Sequence, residues 1–90
     1  MKFMVSWKIP QGTMNAAVDR FLTTGGAPPK SVKMLGRWHG ASMKGVAIAE
    51  SNDGKAIYEW AATWGDLLEM DVTPCLDDAE GAKVLKSIKR

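Results

Sequence analysis

From its second residue the chain alternates. In KFMVSWKI, Phe3, Val5, Trp7 and Ile9 fall on one side of an extended backbone, and Met4, Ser6 and Lys8 on the other. This period of two marks a half-buried strand, which Pro10 and Gly12 bring to an end. The period then lengthens. Met14, Ala17, Val18, Phe21 and Leu22 recur at helical spacing, opposite Asn15, Asp19 and Arg20. A helix is expected there, with Thr13 as its N-cap and Gly25 and Gly26 at its end. The following GGAPPK, with two glycines and two prolines, continues neither kind of element and reads as a loop.

Two strands follow, SVKMLGRWH and KGVAIAES, separated by Gly40, Ala41, Ser42 and Met43. So short a connection predicts an antiparallel hairpin. Strict alternation along the first of them sends Trp38 one way, toward the helices, and Leu35, Arg37 and His39 the other. Asp53 is placed to cap a helix carrying Ile57, Trp60, Ala61 and Trp64 on one face. LLEMDVTPCL then alternates Leu68, Met70 and Val72 against Glu69, Asp71 and Thr73. Its Pro74 has no N–H to give a ladder, which predicts an edge position or the end of the strand. Asp77 or Asp78 opens a last helix, and Asp77 with Glu80 has the spacing of a capping box.

The order is β-α-β-β-α-β-α. Right-handed crossovers turn it into an α+β, ferredoxin-like βαββαβ arrangement with a C-terminal helix, a four-stranded antiparallel sheet carrying two helices on one face. Residues 1–90 read as one domain of this kind. The face left without helices is expected to carry Met4, Ser6 and Lys8, then Leu35, Arg37 and His39, then Glu69, Asp71 and Thr73. The third strand can present either its alanines or Val46, Ile48 and Glu50 there. Ala47 and Ala49 are expected under the helices, because bulky Trp60 and Trp64 need small partners. The open face is then apolar at its middle and polar around it, suited to solvent, to an extended ligand, or to a second copy of the chain.

Composition narrows the classes. Ninety residues, 46% apolar and 24% charged, make an ordinary small globular mix. A chain of this size buries only a little over ~60% of its unfolded surface, so it folds with a small margin that association would widen. Net charge is +2, and only the tail concentrates cations, at Lys83, Lys86, Lys89 and Arg90. Cations at the end of a helix favour its dipole, so no nucleic-acid partner is expected. No apolar run approaches the ~20 residues of a membrane span, and the N-terminus lacks the apolar core and cleavage site of a secretory signal. With Cys75 as the lone cysteine, no internal disulfide forms, and a cytoplasmic location without membrane attachment is expected.

Candidate chemistry is sparse. KGVAIAES has the shape of a central RNA-recognition strand, but Val46 and Ile48 stand where bases would need aromatic rings. RWHG joins Arg37, Trp38 and the only histidine, His39, to a turn glycine. One reading is a plain strand end. The other places Arg37 and His39 in a pocket, where Arg37 holds an anion and His39 moves a proton, with Glu50 or Asp71 orienting the imidazole. Met4 and Ser6 would line the same pocket. Trp60 and Trp64 read as core, with a ligand-stacking wall shared with Trp7 as the alternative. Cys75 has no CxxC partner and no second histidine, so no metal site is expected, and a Cys75–His39 nucleophilic pair has no support in the spacing. GGAPPK lacks the Gly-Lys-Ser/Thr of a phosphate loop, and Asp53-Gly54 is a cap and not a calcium loop.

Beyond these patterns, MKFMVSWKI, RFLTTGGAPPKSVKMLGRWHG and AIYEWAATWGDLLEMDVTP resemble a family of small bacterial and phage-encoded proteins, the domain of unknown function DUF3303. The markers are Gly26 to Pro29, then Gly36-Arg37-Trp38-His39, and Glu59-Trp60 to Trp64 running into Asp71-Val72-Thr73-Pro74. Gly54 departs from the family pattern, which tends to a proline at that helix start. In element order the family resembles the dimeric α/β barrel superfamily, with its cofactor-independent monooxygenases, haem-degrading oxygenases and stress-responsive barrel proteins. The resemblance implies a homodimer and carries over no catalytic residue and no cofactor. Three readings follow. The chain is a homodimeric protein binding a small organic ligand between its sheets, a cofactor-independent or haem-handling enzyme using His39, or an assembly module with no pocket.

Overall fold

The computed structural model describes residues 1–89. The elements are β1 (Lys2–Lys8), a short 3₁₀ turn (Gln11–Thr13), α1 (Met14–Thr24), β2 (Lys33–Gly40), β3 (Lys44–Glu50), α2 (Gly54–Trp64), β4 (Glu69–Cys75) and α3 (Asp78–Ile88). The strands form one antiparallel sheet in the order β2-β3-β1-β4, which is the ferredoxin-like arrangement. The central strand, β1, pairs with β3 on one side and β4 on the other. β4 is an edge strand, and there the missing N–H of Pro74 is tolerated.

Register assigns the faces. Val5 stands between Ala47 and Val72, and Trp7 between Gly45 and Met70, so these residues share the inner face beneath the helices. Met4 stands between Ile48 and Thr73, and Ser6 between Val46 and Asp71, on the open face. The two alanines of β3 are fully buried under α2, where Ala56, Ile57 and Trp60 complete the core with Val5 and Val32. A larger side chain at Ala47 or Ala49 would hold the indole of Trp60 off the sheet.

β2 departs from strict alternation. Met34 pairs with Ala49, yet Gly36 pairs with Ile48, so two steps along β2 match one step along β3. The irregularity falls at Leu35, and an extra residue in a ladder exchanges the faces of everything after it. Arg37 therefore pairs with Ala47 and His39 with Gly45, on the inner face. Trp38 pairs with Val46 on the open face, 60% exposed. The expectation that Trp38 enters the core and that Arg37 and His39 line the open face is thus reversed. Two glycines lie directly against indole rings. A Cβ on Gly36 would stand 2.4 Å from the Trp38 ring, and one on Gly45 would stand 2.4 Å from the Trp7 ring.

Caps largely follow local sequence. The Asp53 carboxylate accepts the amides of Lys55 and Ala56 at 3.1 and 3.3 Å, and Asp77 with Glu80 forms a complete capping box. Gly25 and Gly26 end α1 at φ 71° and 59°, in the left-handed region that suits glycine. Thr13 is the exception. Its hydroxyl makes no cap bond and donates instead to the carbonyl of Leu67 at 2.6 Å, tying the start of α1 to the segment after α2.

α1 also stands further from the sheet than its apolar stripe predicts. Only Ala17 is buried, whereas Met14, Val18 and Leu22 are exposed. Polar ties hold it in place. Arg20 forms a two-pronged pair with Asp66 at 2.9 and 2.7 Å and donates to the carbonyl of Thr63 at the end of α2. α3 has no buried residue at all. Its N-terminal end is fastened by Lys2, whose Nζ lies 3.7 Å from Asp77 and 3.1 Å from Glu80.

Candidate functional site

The gap between α1 and the sheet is a cavity of about 220 Å³, open on one side. Trp7 forms its floor, α1 contributes Val18 and Phe21, α2 contributes Trp60 and Trp64, and Leu68 and Met70 close it near β4. Arg37 and His39 are its ionisable residues, delivered to it by the bulge in β2.

Arg37 is held from several sides. Its two terminal nitrogens donate to the carbonyls of Gly25 and Gly26 at 3.0 Å each, at the C-terminal end of α1 where the helix dipole favours a cation. The guanidinium carbon lies 4.9 Å from the centre of the Phe21 ring. Gly26 is buried beneath it, and a Cβ there would come within 2.8 Å of Nη1. Among the described residues, ion pairs join Lys2 to Glu50, Asp77 and Glu80, and Arg20 to Asp66; no carboxylate lies within 4.0 Å of Arg37. A guanidinium has five N–H donors, so the cation keeps donors to offer a ligand.

His39 sits at the cavity mouth, exposed. Its ring meets Phe21 edge-on at 5.2 Å and Trp7 at 5.9 Å. At the rim the Arg20 guanidinium holds the Asp66 carboxyl below its ordinary range, and Arg20 also lies 5.2 Å from the Trp64 ring centre.

The six residues expected to share a pocket are divided by the sheet. Arg37 and His39 line the cavity. Met4, Ser6, Glu50 and Asp71 lie on the opposite face, where Ser6 pairs with Asp71 across β1 and β4 and Glu50 reaches Lys2 at 3.6 Å. Neither Glu50 nor Asp71 can orient the imidazole, because the sheet lies between them. Ser6 and Asp71, with Lys8, Lys44 and Glu69, instead border a separate open cleft. Cys75 pairs with Lys2 at the far end of the sheet, so it makes no pair with His39. No group of three or more potential metal ligands occurs among the described residues.

Trp7, Trp60 and Trp64 combine both roles that their spacing allowed, packing on the core and walling the cavity. Phe21 and Gly26 carry no sequence signal beyond helix periodicity and a C-cap. Their part in the site depends on where Arg37 arrives.

No helix of the described residues is long and apolar enough to cross a membrane. Neither the curated proteins nor the solved structures hold a match to the chain. Its family is nonetheless clear: the chain belongs to DUF3303, a domain of unknown function whose model matches residues 1–89.

Proposed function

We propose that this DUF3303 chain binds a flat, mainly apolar organic molecule bearing one anionic group, in the cavity beneath α1. The observation that carries the reading is an aromatic void with a single unpaired cation in its wall. Voids are costly. At ~24 cal/mol per Å³, an enclosed space of 220 Å³ costs up to about 5 kcal/mol, a ceiling here because one side is open. A small domain has only ~5–15 kcal/mol of stability in all, so a ligand that fills the space offsets a large term.

Size and chemistry define the ligand class. A cavity of ~150 Å³ holds benzene, and drug-sized ligands begin near ~300 Å³, so 220 Å³ suits one or two rings. The indoles and Phe21 offer faces and edges for stacking. The free donors of Arg37 suit a carboxylate or phenolate, and His39 at the mouth adds a second polar contact. The pocket lies within one chain, not between two sheets, so this reading does not depend on association. A cytoplasmic location belongs to the same proposal, since a lone thiol such as Cys75 stays reduced there.

A second reading rests on His39. An exposed imidazole beside an aromatic cavity, with no protein hydrogen bond among the described residues, is placed to take a proton from a bound phenol or activated C–H, as a cofactor-independent oxygenase requires. A haem macrocycle is too large for this cavity, which favours the form of that reading without haem.

The test is a titration with benzoate, salicylate and 2-naphthoate, followed by tryptophan fluorescence, since three indoles wall the site. Saturable quenching is expected. Arg37→Ala should weaken it at least ~10-fold, the worth of one charge-assisted hydrogen bond. Asp71→Asn, on the other face, should leave it unchanged. Absence of saturable binding across the three anions, or equal binding by Arg37→Ala, would sink the proposal.

A further inference from the structure

Among the described residues, two apolar surfaces of this chain are left largely uncovered. One is the stripe of α3 formed by Gly81, Val84, Leu85 and Ile88 at helical spacing, with Leu85 and Ile88 each 64% exposed. The other is the open face of the sheet, where Met4, Val46, Ile48 and Trp38 cluster. A helix without a sheet and a sheet without a helix occur in the same molecule.

The surface area shows how much is unpartnered. A compact monomer of 9.8 kDa exposes about 5,200 Å². This chain exposes 6492 Å², an excess of about 1,300 Å², against the ~800 Å² per partner of a standard stable interface. The radius of gyration is 14.9 Å, where ~12 Å is typical of this length, and the long axis is 51 Å. α3 leaves the body and accounts for the elongation.

Closure within one chain is opposed by the Lys2 clasp. Asp77 and Glu80 are both held by Lys2, and only Leu76 separates β4 from the cap, so the direction of α3 is set at its first turn. Gly81 adds a second mark. Glycine weakens a helix interior, and nothing lies within 4 Å of a Cβ built there, so no contact among the described residues calls for it. Close approach of another backbone would.

We propose that α3 lays its apolar stripe on the open sheet face of a second copy, two copies doing so reciprocally. The resulting dimer interposes helices between the two sheets. It is independent of the ligand proposed for the cavity beneath α1, which lies on the other face.

Sedimentation equilibrium with three proteins tests this. The chain as it stands should sediment at twice its 9.8 kDa mass. Leu85→Glu on α3 and Met4→Glu on the sheet should each be monomeric, with circular dichroism unchanged because both sites are exposed; Trp38→Glu replaces Met4→Glu if the latter unfolds. Mixing the helix variant with the sheet variant should restore a heterodimer, at least ~10-fold tighter than either variant's self-association, because one intact helix meets one intact sheet. A dimeric Leu85→Glu would mean that the sheets pair directly and would overturn the proposal. So would a monomeric parent chain, or a mixture that stays monomeric.

Discussion

Arg37 on β2 stands directly opposite Ala47 on β3, a residue with no exposed surface. From there its guanidinium reaches under α1 and bridges the carbonyls of Gly25 and Gly26. One side chain thus ends a helix, lines a cavity and supplies its unpaired charge. Arg37→Ala should cost about 1–2 kcal/mol of stability, the worth of two hydrogen bonds from a charged group at a partly exposed site. Arg37→Lys should recover little of it, since a point charge cannot span both carbonyls. Urea denaturation gives the loss, and faster amide exchange at the C-terminal turn of α1 should localise it. Equal stability of all three proteins would refute the role.

Two glycines underlie two indoles, and they should respond differently. In Gly36→Ala the three atoms nearest the new methyl all belong to the Trp38 ring, which is exposed and free to swing away. A loss below about 1 kcal/mol is expected, with a shift in tryptophan emission. In Gly45→Ala the methyl meets the Trp7 ring and also the backbone oxygen of Trp38 at 2.9 Å. Backbone cannot swing, so about 2–3 kcal/mol is expected, together with weaker ligand binding because Trp7 floors the cavity. Similar losses in the two variants would contradict the assignment of faces.

Thr13→Val removes a hydroxyl that bonds to Leu67 and not to its own helix. Were Thr13 an ordinary N-cap, Thr13→Asp would restore stability. Because the bond is to a carbonyl, which needs a donor, Thr13→Asp should be no better than Thr13→Val, each losing about 1 kcal/mol. Thermal denaturation of the three proteins decides between the two roles.

The Arg20–Asp66 pair predicts an acid response. Asp66 has its carboxyl pKa lowered from the ordinary 3.8 by the hydrogen bond from Arg20. A lowered folded pKa means that the stabilisation is fully present above 3.8 and lost as pH falls through the lower folded value. Asp77 is lowered too, through the Glu80 amide, and loses its contribution in the same direction. Asp66→Asn should therefore flatten the acid limb of the stability profile without abolishing it. Urea midpoints measured from neutral pH down to about pH 3 test this, since that interval reaches the carboxylate range. An acid limb identical to that of the parent chain would show that the pair adds nothing.

Much of this molecule was legible in its sequence, and the legible part is local. The carboxylates of Asp53 and Asp77 cap helices because their partners lie within three residues. Gly25 and Gly26 end α1 because only glycine enters the left-handed region cheaply. The alternation of β1 and the paired alanines of β3 assigned their inner faces, and with them the element order and the sheet. Trp7, Trp60 and Trp64 were readable as wall or core because aromatic residues in so small a chain have few other places to go.

The faces of β2 were decided elsewhere. Alternation is a rule about one strand, whereas a bulge is a property of a pair, and nothing within SVKMLGRWH says that two of its steps will match one step of β3. That single slip at Leu35 moved Arg37 and His39 beneath α1, left Trp38 exposed, and separated both from Glu50 and Asp71. The standoff of α1 and the projection of α3 were equally out of reach, because each depends on what packs against an amphipathic face and not on the face itself. Sequence alone determined which elements form and where they stop, since backbone hydrogen bonding and caps act over a few residues. Only the tertiary structure decided which side chains meet in a cavity, since that follows from register between strands distant in the chain.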